Sequence, residues 1–129
     1  MSNKPLTSTE IAQTSGPYSP AVLAQGGRTL WISGQIAQGP DGQLTGAGDA
    51  EEQARQCLRN VDALLRAAGA SKEDVVRVTI YLTDMADRAA VARARTEYFG
   101  DHKPAATLVE VTALVVPELK VEIEATAVF

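Results

Sequence analysis

The sequence predicts an α+β fold, a mixed β-sheet with two helices packed on one face. Three observations carry that expectation. A long apolar stripe at helical spacing runs over residues 50–68, a second helical spacing covers residues 84–99, and stretches of strict alternation lie before, between and after them. The length of 129 residues fits a single domain, 1–129. Such a domain buries roughly two-thirds of the surface its unfolded chain exposes, enough for one core. Hydrophobic residues at 45% and charged residues at 22% are ordinary for a globular chain, so disordered and fibrous classes are excluded.

The elements follow in order. Residues 15–20, Ser-Gly-Pro-Tyr-Ser-Pro, are turn-forming. Residues 21–25 read as a short strand. Gly26-Gly27 predicts a hairpin turn leading into a partner strand over residues 29–37, rich in Leu30, Trp31, Ile32 and Ile36. Gly39-Pro40-Asp41-Gly42 is a second turn. In the first helix Ala50, Ala54, Cys57, Leu58, Val61, Leu64, Leu65 and Ala68 share one face, and Gly69 stands just past the end. Cys57 falls on that stripe and reads as a packed thiol. Residues 75–83 alternate, with Val76, Val78, Ile80 and Leu82 on one face and Arg77, Thr79 and Tyr81 on the other. The second helix carries Val91, Ala94 and Tyr98 on one face, with Asp87 as its cap and Pro104 beyond its end. Residues 107–115 and 119–128 read as two strands joined by a turn at Val116-Pro117-Glu118.

The last strand sorts its side chains cleanly. Leu119, Val121, Ile123, Ala125 and Ala127 point one way, and Lys120, Glu122, Glu124, Thr126 and Val128 the other. The first set suits the helices. The second face, with Leu108, Leu114 and Val128 among its charges, is half apolar and reads as an oligomer interface.

Charge and composition narrow the function. Twelve basic against sixteen acidic residues give a net charge of −4, unsuited to tracking a phosphate backbone, so no nucleic-acid partner is expected. One cysteine, Cys57, and one histidine, His102, build neither a disulfide nor a zinc site, so no metal is expected. Residues 1–15 lack an apolar signal core, and no run reaches the roughly eighteen apolar residues of a membrane span, so a cytoplasmic protein with no membrane partner is expected.

The chain resembles the RidA/YjgF family along nearly its whole length. The resemblance rests on Gly16-Pro17-Tyr18-Ser19-Pro20-Ala21, on Ile32-Ser33-Gly34-Gln35-Ile36 and on the helix block Gln53-Ala54-Arg55-Gln56 with Leu58-Arg59-Asn60-Val61. It continues through Ala67-Ala68-Gly69-Ala70 with Asp74-Val75-Val76-Arg77, through Leu82-Thr83-Asp84-Met85 and Tyr98-Phe99, to the closing Val121-Glu122-Ile123-Glu124-Ala125. The resemblance implies a chorismate-mutase-like, RidA-like fold in a homotrimer. There, three sheets form a barrel-like core and ligand clefts lie between subunits. It also implies cofactor-free hydrolysis of reactive enamines and imines, such as 2-aminoacrylate and 2-iminopropionate, to a 2-oxo acid and ammonia.

Site residues carry over one at a time. Glu122 matches the family's glutamate that handles water and ammonia, Tyr18 its pocket tyrosine and Ser33 its pocket serine. The family's carboxylate-binding arginine is replaced by Ala106 within Pro104-Ala105-Ala106-Thr107. Leu108 stands where cysteine is frequent, Ala92 where asparagine is common and Arg95 where tyrosine is common; the loop from Phe99 to Pro104 is short. Losing a charge-assisted pair in a desolvated cleft costs about 2–5 kcal/mol, so 2-aminoacrylate is not the expected substrate. The expected activity is a hydrolytic deaminase, acting on a C–N bond, for a different enamine or imine, 2-aminomuconate being one example. The alternative is a non-catalytic small-molecule-binding trimer. The ribonuclease label of some relatives ranks last on charge. Arg95 and Lys103 are candidates to replace the missing clamp, against the reading of solvated surface charges. Tyr18 also fits a packing role over the Gly-Pro turn, Ser33 a turn role and Glu122 a solvated strand end. His102 is expected exposed, and Glu124 and Glu110 share the cleft side or serve interface salt bridges.

Overall fold

The computed structural model describes residues 3–13 and 16–129. The predicted turn run 15–20 is therefore seen from Gly16 onward, Ser15 lying outside the described residues. Among these residues six strands and two α-helices are formed: β1 (Lys4–Leu6), β2 (Ala21–Leu23), β3 (Thr29–Gln35), α1 (Ala50–Ala67), β4 (Val75–Leu82), α2 (Arg88–Phe99), β5 (Ala105–Glu110) and β6 (Val121–Val128).

Helix α1 forms as its pattern demands. Asp49 caps it by accepting from the Glu52 N–H at 3.0 Å, and Glu51 and Glu52 sit in the first turn, where the helix dipole favours them. Gly69, at φ +80°, takes the left-handed conformation that ends it. Ala54, Cys57, Leu58, Val61 and Leu65 are buried as predicted, whereas Leu64 remains 40% exposed at the edge of the stripe. Helix α2 is shorter than predicted. A 3-10 turn, Met85–Asp87, precedes it and is capped by Asp84; Asp87 stands at the N-cap position without a capping hydrogen bond.

The four-stranded sheet has the order β3-β6-β4-β5, and β1 pairs separately with β2. β4 and β5 are parallel and the other pairs antiparallel, so the sheet is mixed. Both predicted hairpins are corrected. β3 pairs with β6 rather than β2: a three-residue β2 offers little ladder, whereas β6 gives the seven-residue β3 a long partner. The residues after Gly26-Gly27 fasten instead to the chain end, Arg28 and Phe129 exchanging two backbone bonds of 3.0 Å. β5 does not turn back onto β6. It lies parallel to β4 after the α2 crossover, and residues 111–120 are irregular.

The core is built by Ile32, by Val75, Val78, Ile80 and Leu82 of β4, by Val121, Ile123, Ala125 and Ala127 of β6, by the α1 stripe, and by Val91, Ala94 and Phe99 of α2. Val75 replaces the expected Val76 in that layer, because the β4–β6 register shifts between Val75 and Arg77. Leu108 is corrected too. It stands beside Ile80 in the β4–β5 register and packs on the core, so it faces the helices. The opposite sheet face has no cover among the described residues. Trp31 is 77% exposed there, across from Thr126 and on the side of Glu122, Glu124 and Tyr81.

Gln53 is a buried polar bracket that patterning does not reveal. Its amide donates to the carbonyls of Gly46 (3.2 Å) and Glu118 (3.0 Å) and accepts from the Lys120 N–H (2.8 Å), tying the start of α1 to the entry of β6. Gln53→Met keeps the volume and strands three backbone groups. It is expected to cost about 2–4 kcal/mol, read as a lower urea midpoint at unchanged slope; a loss below about 1 kcal/mol would show that water satisfies those groups.

Candidate active site

A cavity of about 440 Å³ opens at the β5 edge on the helix side of the sheet. It is lined by Tyr18 and the Gly16-Pro17 turn, by Met85, by Arg88, Ala92 and Arg95 of α2, and by Ala106 and Leu108 of β5. Parallel pairing with β4 sets Ala106 beside Val78 and Leu108 beside Ile80, which turns both toward α2. The Tyr18 loop is held there by its neighbour: Ser19 donates from its backbone to Pro104 O at 3.1 Å and from its hydroxyl to Lys103 O.

Tyr18, Arg95, Ala106 and Leu108, read from different parts of the sequence, thus meet around one space. Arg95 is buried, at 6% exposure. Its Nη2 reaches Pro17 O at 3.4 Å, and its Nε has no hydrogen-bond partner among the described residues. Burial pulls this guanidinium below its ordinary pKa. Arg88 is exposed at the same cavity.

Glu122 and Ser33 lie elsewhere. Glu122 is on β6, two strands away from β5, a distance of about 9–10 Å, and on the uncovered face. Its carboxylate occupies the space over Gly34 of β3, where an added Cβ would collide with Oε2. Ser33, next to that glycine, is exposed. Glu124 accepts a short hydrogen bond from the Tyr81 hydroxyl, which raises the pKa of that phenol. Within one chain the predicted residues therefore form two groups on opposite faces of the sheet.

The remaining candidates have structural partners. Glu110 accepts from the Met85 N–H at 2.7 Å and steadies the turn before α2. His102 is half-buried rather than exposed, because its Nε2 lies 2.8 Å from Val75 O. Lys103 is exposed and borders a neighbouring depression. Cys57 is fully buried, and burial pushes its thiol up to about 12, which makes it a poor nucleophile. A larger depression of about 580 Å³ lies between α1 and α2, but its arginines are engaged internally: Arg55 with Glu51, Glu52 and Glu97, Arg59 with Glu52, and Arg66 with Asp62. The described residues contain no group of three or more His, Cys, Asp or Glu arranged for a metal, and no helix among them is long and apolar enough to cross a membrane.

Sequence reasoning missed Gly34 as the seat of Glu122, although a glycine between Ser33 and Gln35 in a strand is itself a signal of close approach. Gly34→Ala is expected to change stability by under about 1 kcal/mol, since the colliding atom ends a flexible side chain. The Glu122 carboxylate should swing off β3, and a crystal structure of the variant with Glu122 unmoved would contradict this account.

Comparison with known proteins gives a consistent likeness. A family model described as Endoribonuclease L-PSP matches residues 8–129. A RutC family protein of Pyrococcus horikoshii is 46% identical over 87% of this chain and 86% of its own. The human 2-iminobutanoate/2-iminopropanoate deaminase is 44% identical over 88% of this chain and 80% of its own. The crystal structure of YyfB from Yersinia pestis, a Rid family protein of unknown function, superposes with a TM-score of 0.90 at 36% identity, covering all of both chains.

Proposed function

The chain belongs to the Endoribonuclease L-PSP family, the RidA/YjgF family, and from that premise we propose a cofactor-independent hydrolytic deaminase of an enamine or imine other than 2-aminoacrylate. The observation that supports this most is the gathering of Tyr18, Arg95, Ala106 and Leu108 around one cavity in a chain related to an imine deaminase. The proposed enzyme is a single RidA-like domain, 1–129, of an arginine-lacking subgroup. It acts in the cytoplasm as a homotrimer on a small molecule, without nucleic acid or membrane.

The chemistry asks little of the protein. An enamine gains a proton at its β-carbon and loses one from nitrogen to become an imine. Water adds to the imine carbon, forming a C–O bond while the nitrogen gains a proton. The C–N bond then breaks, the nitrogen leaves as ammonia, and the hydroxyl loses its proton to give the 2-oxo acid. One carboxylate beside the water serves both transfers, accepting the water's proton and returning it to nitrogen. Glu122 is the proposed carboxylate. Tyr18, Ser33, Ala106, Leu108 and Arg95 are the proposed substrate contacts, with Ala106 supplying space at the position where the family resemblance implies an arginine clamp.

The trimer follows from two observations on this proposal. The sheet face bearing Trp31 and Glu122 is uncovered, and the cavity opens on the other face. Packing that face against neighbouring subunits in a barrel-like core, with β3 and β6 of one subunit set against the β5 edge of the next, would bring Glu122 and Ser33 to the edge at which the neighbour's cavity opens. A second reading, a small-molecule-binding trimer without catalysis, is favoured by the separation of Glu122 from the cavity within the chain.

Ammonia release from a panel of enamines and imines separates the readings. Activity on at least one longer substrate is expected, and Glu122→Gln is expected to lower it by about 100-fold or more. Silence across the panel, with a folded trimer by sedimentation, would establish the binding reading. Ala106→Arg is expected to raise turnover of 2-iminopropionate, and no gain in a folded trimer would sink the explanation from a missing clamp.

A further inference from the structure

Arg95 is the only charged residue buried among the described residues. Neither its guanidinium nor that of Arg88 makes an ion pair there, and no carboxylate lines the cavity they share. Arginine does not escape burial by losing its proton, so a desolvated guanidinium without a counter-charge is costly to keep. Its single long bond to a carbonyl offsets little of that cost. The Nε–H is left open, and side-on donation from Nε and one terminal nitrogen matches the two oxygens of a carboxylate.

Apart from Arg95, Arg88 and Tyr18 the lining is apolar: Pro17, Met85, Ala92, Ala106 and Leu108 form the walls, and Ala106 contributes a single methyl group. At about 440 Å³ it falls within the range of about 300–1,000 Å³ typical of ligand sites, ample room beyond a three-carbon acid. Arg88, exposed at the same cavity, adds positive potential that draws anions inward.

We propose that Arg95 holds the ligand carboxylate from helix α2, and that the cavity takes a 2-imino acid, or the matching 2-oxo acid, whose apolar side chain is larger than methyl. The imine form rests on the deaminase reading above; the carboxylate site does not. The anion then approaches from α2 rather than from β5, and the side chain fills the space beside Ala106 and against Leu108 and Met85.

Calorimetry on the intact protein with pyruvate, 4-methyl-2-oxopentanoate and 2-oxoglutarate tests this. The branched acid is expected to bind about tenfold or more tighter than the other two. Arg95→Lys should weaken it by about ten- to a hundredfold, and Arg95→Met should abolish it. The ligand-free thermal midpoint of Arg95→Met should hold or rise, because an unpaired buried charge is gone. Undiminished binding in Arg95→Met or Arg95→Lys overturns the proposal, and tightest binding of 2-oxoglutarate overturns the ligand class. If Arg95→Met melts early, Arg95→Lys decides, since it keeps the charge and loses the planar fork. Arg95-dependent binding without ammonia release from any imine upholds the site while ending the deaminase reading. Turnover that survives Arg95→Met does the reverse.

Discussion

The two-residue alternation of β6 governs the arrangement of everything else. Its odd positions, Val121 to Ala127, are buried under the helices, and its even positions carry Glu122 and Glu124 to the other face. β6 also holds the sheet together, because β3 and β4 both pair with it. A shift of one residue would bury both carboxylates and expose the core layer, so register and the position of Glu122 are one constraint. The same constraint places Glu122 and the cavity beside Ala106 on opposite sides of the sheet. A site that uses both needs a second copy of the chain, and this makes oligomerisation part of the chemistry in the proposed function.

Arg95 stands at the other end of that argument. Most charges in the chain are exposed, or sit in surface pairs such as Arg66 with Asp62, each contributing little. Arg95 alone among the described residues is a buried charge, and it lines the cavity beside Ala106. An unpaired buried cation weakens a fold, whereas a cation matched by a bound anion does not. The proposal therefore assigns the stabilising partner to the ligand, and the cost falls on the empty protein.

Much of the fold was legible because period and burial agree. Helix α1 from Ala50, its glycine stop and both faces of β6 follow from the residues alone. Pairing was less legible. Gly26-Gly27 and the turn near Pro117 suggest local hairpins, but a strand joins the partner that buries the most, and both β3 and β4 choose β6 across long sequence gaps. The misplacement of Val76 and Leu108 shares a cause: a bulge or a parallel register sets side-chain parity, and neither leaves a mark in a short apolar run. Around the candidate cavity, Tyr18, Ala106 and Leu108 are singled out by the resemblance and not by periodicity. The burial of Arg95 was not legible, since a long amphipathic side chain reads the same on a helix whether its head meets water or a cavity.

The cavity wall and the Glu122 carboxylate lie on different parts of the sheet. Ala106 and Leu108 belong to β5, an edge strand whose outer side meets only a bridge from Ser19 to Ala105 among the described residues, and they meet the core at its margin. Substitution there alters the cavity wall while the ladder, made by backbone groups, persists. Glu122 is on β6, bracketed by two neighbours and seated over Gly34, where a new side chain disturbs it directly. On the proposed function, the fold thus separates a permissive wall that sets which substrate fits from a constrained carboxylate that handles water. On the proposed reading, an anion site can move from β5 to α2 across a single cavity without moving the carboxylate that acts on the imine carbon.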